Sequence, residues 1–293
     1  MRPKIIICIC TKNRKLKLIK LINSIKELTT RKTFNLELLI IANDKSSYQD
    51  IISKFKKVLK VEVFREHKKG LSHTRNKCLE ILRKKNYTYA TFFDDDCVLK
   101  KDWLLNMYKI FKKFHPDIIA GPQIAKSKNI FLTLMERHEK NLTNIKWAST
   151  NNVFFKKSAI KNKVTFSKKL NLIGGEDQLF FLKLNYLGKK IIWNNASIVY
   201  EAIDKKRENL KWFIKRNLRY GLSGIVIYQS LFGIIFGTIY LFLKIFNDFF
   251  QSLKNLFASF LFSKKHFYKF IMYFCRALGG ILGIFGFQIK EYL

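Results

Sequence analysis

The sequence predicts an α/β domain with a mostly parallel central sheet, followed by a C-terminal apolar helical region that associates with a membrane. Two observations predict it. Through the first 221 residues, short apolar runs alternate with amphipathic helical patterns. Beyond them the charge thins out: the first 221 residues hold 49 basic and 19 acidic side chains, the last 72 only 7 and 2, and residues 222–243 carry none. The expected division is therefore a domain at 1–221 and a membrane-associated helical region at 222–293.

Each element has its own signal. KIIICIC opens as a strand, and a helical pattern runs from about Arg14 to Leu28. LELLIIA, a helix from about Tyr48 to Val58, VEVF, a helix from about Ser72 to Arg83 and TYATFF follow. Strands alternating with helices at this spacing build βαβ units and hence parallel pairs. A further helix starts near Lys101, and QLFFLKL after Asp177 is apolar-periodic. In the tail, the 22 uncharged residues Leu222 to Leu243 would make a helix of about 33 Å, long enough to cross a bilayer core. Phe249, Leu253, Leu256, Phe257 and Phe260 then recur at helical steps, and Phe270 to Ile289 is apolar and Gly-rich but contains Arg276. Two crossings would leave Lys244, Lys254, Lys264, Lys265 and Lys269 outside, against the positive-inside tendency. Interfacial or re-entrant association is therefore favoured over a two-span hairpin; the alternative is a helical packing domain.

The 293 residues carry a net charge of +35, with 48% hydrophobic and 15% aromatic residues, which excludes a disordered tail or a disulfide miniprotein. The charge comes from 45 Lys and only 11 Arg, scattered from Lys4 to Lys290. Nucleic-acid sites use clusters and Arg forks, so no nucleic-acid partner is expected. Anionic lipids or phosphorylated substrates remain natural partners. Cys8, Cys10, Cys78, Cys97 and Cys275 show neither zinc nor disulfide spacing, consistent with a reducing cytoplasm. Ile5 to Cys10 is too short for a signal-peptide core, so no export is expected.

Four constellations could carry chemistry. Asp94, Asp95 and Asp96 close an apolar strand, where open α/β sheets bind ligands. Asp94 and Asp96 would face one side if extended, as two oxygen donors to a hard divalent ion or as an acidic turn before the next helix. Gly174-Gly175-Glu176-Asp177 displays carboxylates at a helix start, as caps or with one as a general base. Gly70 to Asn76 joins a strand to a helix; Arg75 and Asn76 could bind phosphate or ribose or lie on the helix surface. Arg216 and Arg219 share a helix face near Arg207 and Trp212 and could clamp a diphosphate or form a juxtamembrane basic helix.

Taken in order, IIICICTKNR, LLIIANDKSS, GLSHTRN, FFDDDCVLKKDWL, ASTNNVFF, GGEDQLFFLKLNYLGKKI and REN…WFIKRNLRYG resemble the inverting glycosyltransferases of family 2, over about Lys4 to Gly221. The tail, with RALGGILG, resembles the membrane-associated ends of members that build bacterial surface polysaccharides. The resemblance implies the GT-A nucleotide-sugar-binding fold. It implies donor contacts from Thr11, Asn13, Arg14 and Arg75, and a DxD pair, Asp94 and Asp96, holding Mg²⁺ or Mn²⁺ with Asp95 between them. Asp177 takes the general-base position with Glu176 supporting its loop, and Arg216 and Arg219 steady the diphosphate or acceptor. Two departures stand out. Asn43-Asp44 replaces the usual Asp-Asn order, leaving the nucleobase contact to either residue, and Glu201 stands where many members place a metal-assisting His. The implied partners are a nucleotide-diphosphate sugar, a lipid-linked saccharide acceptor and membrane lipids, at the cytoplasmic face of the inner membrane. A membrane-bound scaffold of the same fold that has lost catalysis is the rival reading, a basic nucleic-acid-binding protein, favoured by charge alone, stands behind it, and a nucleotidyltransferase is the nearest enzymatic rival.

Overall fold

The computed structural model describes residues 2–161, 163–261 and 263–290. The chain runs through β1 (Lys4–Thr11), α1 (Lys15–Lys26), β2 (Asn35–Ala42), α2 (Gln49–Phe55), β3 (Lys60–Arg65), α3 (Leu71–Lys84), β4 (Tyr89–Asp94), β5 (Cys97–Leu99) and α4 (Trp103–Phe114). It continues with β6 (Ile118–Ala120), β7 (Gln123–Ala125), α5 (Ile130–Met135), β8 (Val153–Lys156), α6 (Glu176–Tyr186), β9 (Ile191–Trp193) and β10 (Val199–Glu201). Three long helices end it: α7 (Leu210–Phe232), α8 (Ile234–Leu261) and α9 (Lys264–Ile284).

Two units divide the chain. The first comprises Met1–Lys126, Glu136–Phe166 and Phe180–Ala202; the second comprises Ser127–Met135, Ser167–Leu179 and Ile203–Leu293. In the first, successive side chains of a strand point to opposite faces, so the apolar run of β1 feeds two layers. Ile5, Ile7 and Ile9 pack with α1, α2 and α4, while Ile6 and Cys8 pack with α3 and the Phe180–Leu184 part of α6. The sheet order is β3-β2-β1-β4-β8-β6-β9, and four of its six pairings are parallel, as the βαβ reading expects. The chain winds outward from β1 through β2 to β3 and then returns to β4 on the other side of β1. The carboxyl ends of β1 and β4 therefore flank a topological switch point. A smaller sheet, β5-β10-β7, adjoins the end of β4.

In the second unit the uncharged stretch 222–243 is not one helix, contrary to the expectation of a single crossing segment. Gly233 adopts φ +79°, its N–H closes α7 on the carbonyl of Gln229 at 3.0 Å, and α8 starts afresh at Ile234. Glycine permits the turn, and Gly237 permits the return: a Cβ there would lie 2.6 Å from the backbone of Tyr228 and Gln229. On α8 Asp248, Ser252 and Asn255 are buried, whereas Phe236, Phe246, Phe257 and Phe260 are each more than two-thirds exposed. Two of these buried polar groups are partnered: Lys244 pairs with Asp248 at 3.3 Å, and Asn255 Oδ1 lies 3.1 Å from His266 Nδ1 on α9. Helices α8 and α9 are long and apolar enough to cross a membrane.

Candidate active site

At the switch point Cys10 of β1 pairs with Asp94 of β4, so Thr11 to Arg14 and Asp94 to Asp96 emerge side by side. The extended Asp94–Asp96 pair expected from the sequence is not what forms. The strand ends at Asp94, residues 95 and 96 turn, and the three carboxylates take different sets of partners. Asp94 is 39% exposed, with Arg75 at 3.4 Å. Asp95 is buried and accepts from Thr11 Oγ1 at 2.8 Å and Arg14 Nη1 at 3.2 Å. Asp96, also buried, meets the same Arg14 nitrogen at 3.3 Å and Lys17 Nζ at 3.6 Å. Burial pushes the Asp95 carboxyl up to about 6, although Arg14 and Thr11 favour its charged form. Burial also works against the charge on Arg14, but Asp95 and Asp96 outweigh it and raise its affinity for the proton. Lys17 was missed in the sequence reading. Its signal is its place in the first turn of α1, three residues beyond Arg14 at the helix N-cap.

The next loop fixes the backbone beneath this cluster. Asn13 takes a left-handed φ of +55°, held by its N–H donating to Asp44 Oδ2 at 2.7 Å. Asp44 also accepts from the Ser46 N–H at 2.7 Å and the Tyr48 hydroxyl at 2.8 Å. Burial would raise the Asp44 carboxyl, and these donors reverse that and lower it. Asn43 Nδ2 donates to the carbonyls of Glu66 and Lys68 at 2.7 and 2.9 Å, and its Oδ1 accepts from the Gly70 N–H at 3.0 Å. Both residues considered for the nucleobase contact are thus engaged by their own loops. On α3, Asn76 brackets the backbone of Phe166 at 2.8 and 2.9 Å, while the buried Arg75 guanidinium lies 5.8 Å from the Phe166 ring centre. Glu201 pairs with Cys97 across β10 and β5, and the Ala202 N–H donates to the carbonyl of Asp96 at 3.0 Å. Its carboxylate accepts from Gln123 Nε2 at 2.8 Å. In the ASTNNVFF segment, buried Asn152 accepts from Trp103 and donates to the carbonyls of Pro122 and Ser197, joining three segments of the first unit.

In the second unit, Gly174 and Gly175 adopt φ +94° and +90° and deliver Glu176 and Asp177 into the first turn of α6. Glu176 is buried; Asp177 is half-buried, with the Gln178 N–H on its Oδ1 at 2.7 Å. Arg216 lies over Tyr220, 5.1 Å from the ring centre. Arg219 is buried and donates from Nε to the carbonyl of Ile173 at 3.0 Å, so it meets main chain.

Asp94 and Asp96 are hard oxygen donors at one strand end. They fit an ion such as Mg²⁺ or Mn²⁺ that takes one or two carboxylates and completes its shell with substrate phosphates and water. Among the described residues no group of three or more His, Cys, Asp or Glu converges to hold an ion.

A mostly parallel sheet with an acidic turn at its switch point has the layout expected of the GT-A fold. The sequence profile of glycosyl transferase family 2 matches residues 6–171, more than half of the chain, and the chain belongs to that family. TarS 1–349 from S. aureus in complex with UDP-GlcNAc is similar at TM-score 0.56 and 16% identity, over 78% of this chain and 67% of that one. A second TarS structure is similar at TM-score 0.57 and 16% identity, over 89% of this chain, which spans 44% of that relative's length. The mannosyltransferase PcManGT from Pyrobaculum calidifontis, in complex with GDP-Man and Mn²⁺, is similar at TM-score 0.65 and 13% identity, over 98% and 89% of the two chains. No curated protein matches the chain.

Proposed function

We propose that the protein moves a sugar from a nucleotide-diphosphate sugar to a hydroxyl of a lipid-linked saccharide, with inversion at the anomeric carbon, in bacterial surface-polysaccharide synthesis. The observation that carries this reading is the gathering of Thr11, Arg14, Lys17, Asp95 and Asp96 at the switch point of the sheet, with Asp94 paired to Arg75 at the same strand end. The bound UDP-GlcNAc and GDP-Man of the similar structures support a nucleotide-sugar donor, and the Mn²⁺ of the mannosyltransferase supports a metal-dependent one. Residues 1–221 act as the catalytic domain and 222–293 as the membrane-associated region at the cytoplasmic face of the inner membrane. The exposed phenylalanines of α8 support the lipid-facing assignment.

Asp94 and Asp96 would hold Mg²⁺ or Mn²⁺ beside the donor diphosphate. When bound, the ion supplies positive charge against the leaving nucleoside diphosphate. Arg14 and Arg75 bring fixed guanidinium groups to the same region, and Thr11 and Asn13 orient the loop that meets the nucleotide. Asn43 and Asp44 shape the nucleobase side. Asp177 takes the proton from the acceptor hydroxyl as its oxygen bonds to the anomeric carbon and the sugar–phosphate bond breaks. Glu176 supports that loop, and Arg216 steadies the acceptor side.

The test is calorimetric binding of a panel of nucleotide sugars, with and without Mn²⁺, to wild type, Asp94→Ala and Asp96→Ala. One donor should bind in a metal-dependent way and be lost in both folded variants. Asp177→Asn should keep donor binding and lower turnover roughly 10²–10⁴-fold, the usual worth of positioned general-base catalysis. Full turnover in that variant would overturn the base assignment. Pyrophosphate in place of nucleoside diphosphate as product would point to nucleotidyl transfer.

A further inference from the structure

One face of α7 lies against the loop that delivers Asp177. Arg219, Ser223 and Ile227 follow one another at four-residue steps, so they form a single ridge on that helix. Each meets the loop at a defined point. Arg219 is 5% exposed, and its Nε donates to the Ile173 carbonyl at 3.0 Å. A Cβ at Gly174 would lie 2.7 Å from Arg219 Nη2. A Cβ at Gly175 would lie 3.1 Å from Ile227 Cδ1 and 3.2 Å from Ser223 Oγ. On its other flank the loop is tied down by the Gly174 N–H donating to the Leu170 carbonyl at 3.0 Å, and α6 begins with the Leu179 N–H on the Gly175 carbonyl at 3.0 Å. The loop is therefore clamped at both ends and backed by a buried guanidinium bonded to its main chain. A charge-assisted bond of that kind is strong and directional.

We infer that Arg219 is the positioning residue of the Asp177 loop, acting through Ile173 and Gly174 rather than on the donor diphosphate. This rests on the reading of Asp177 as general base. A buried cation anchored to a carbonyl three residues before Glu176 sets where the Asp177 carboxylate stands, and Ser223 and Ile227 extend the same support under Gly175. Reacting groups misplaced by about 1 Å lose roughly 10²-fold in rate. Loss of Arg219 should therefore appear in kcat and leave the donor equilibrium untouched.

The experiment uses the full-length protein in detergent, with Arg219→Met, Arg219→Lys, Asp177→Asn and Asp94→Ala. Calorimetry gives donor Kd and stoichiometry, and kcat is expressed per donor-binding molecule, which removes any loss of folded protein. Arg219→Met should lower kcat about 10²-fold with donor Kd within about twofold of wild type. Arg219→Lys, which keeps the charge without the fork, should fall between. Unchanged kcat in Arg219→Met, or a donor Kd weakened as in Asp94→Ala, would overturn the proposal, the second outcome marking Arg219 as a diphosphate clamp. Full kcat in Asp177→Asn would instead overturn the base reading. Should Arg219→Met fail to fold, Ser223→Leu adds bulk to the same ridge while keeping the buried charge. It should show the same lowered kcat at unchanged Kd, and full kcat there would overturn the proposal.

Discussion

Asn43 joins β2 to the segment that precedes α3 through two donated bonds and one accepted, and none of the three can be reproduced by an apolar side chain. Each such bond contributes about 0.5–1.5 kcal/mol net. Asn43→Ala should therefore cost about 1–3 kcal/mol, read as a lowered thermal unfolding midpoint in detergent. Glu37 gives a pH-dependent case. It is buried on β2, and burial alone would raise its carboxyl; Lys4 at 2.7 Å and Lys85 at 2.6 Å reverse this and lower it to about 2. A depressed carboxyl contributes stability that is present above its ordinary value near 4.5 and lost as the pH falls toward 2. Between pH 5 and pH 2.5 the wild type should lose midpoint steadily relative to Glu37→Gln. Parallel curves for the two proteins would contradict the pairing.

At the scale of elements, close helix packing rests on small residues. A Cβ on Gly279 of α9 would collide with the backbone of Leu218 on α7, and one on Gly221 of α7 would meet Gly279 and Gly280 of α9 at 2.6–2.7 Å. Arg276 Nε, on α9, also donates to the buried Asn217 Oδ1 at 3.0 Å and anchors the same pair of helices. Forcing extra volume into such a contact costs about 1–3 kcal/mol. Gly279→Val should lower the thermal midpoint and expose the α7–α9 pair to limited proteolysis. Protection equal to wild type would show that the helices do not pack this closely.

For the molecule as a whole, the proposed membrane attachment belongs to the row of large apolar side chains that α8 exposes. Phe236, Phe246 and Phe257 of α8 are 73%, 72% and 68% exposed, and burying each in lipid would gain about 1.5–3 kcal/mol. The triple substitution Phe236→Ser, Phe246→Ser, Phe257→Ser should reduce flotation with anionic vesicles at least tenfold. Because these rings have few protein neighbours to lose, the unfolding midpoint should hardly change. Undiminished flotation would assign membrane attachment to other residues.

The sequence by itself determined the order of the first four strands and the helices between them, the division of charge along the chain and the three carboxylates at the end of β4. Apolar runs of strand length, helical periodicity and adjacent carboxylates are local properties, and local spacing reports them. It overran α2, expected to Val58 and ended at Phe55, and gave no bounds for α5 or for β5 to β10, because strands of three or four residues carry too little pattern. Only the tertiary structure decided which groups meet. Strand order brings Arg14 and Lys17 onto Asp95 and Asp96 across some eighty residues. Helix packing takes Arg219, expected beside Arg216 on a diphosphate, to the carbonyl of Ile173. Gly233 turns one uncharged run into two helices because α8 packs back against α7. The physical reason is common to all three: local periodicity tells a side chain which face to seek, whereas its partner is set by long-range register and packing, which no local spacing encodes.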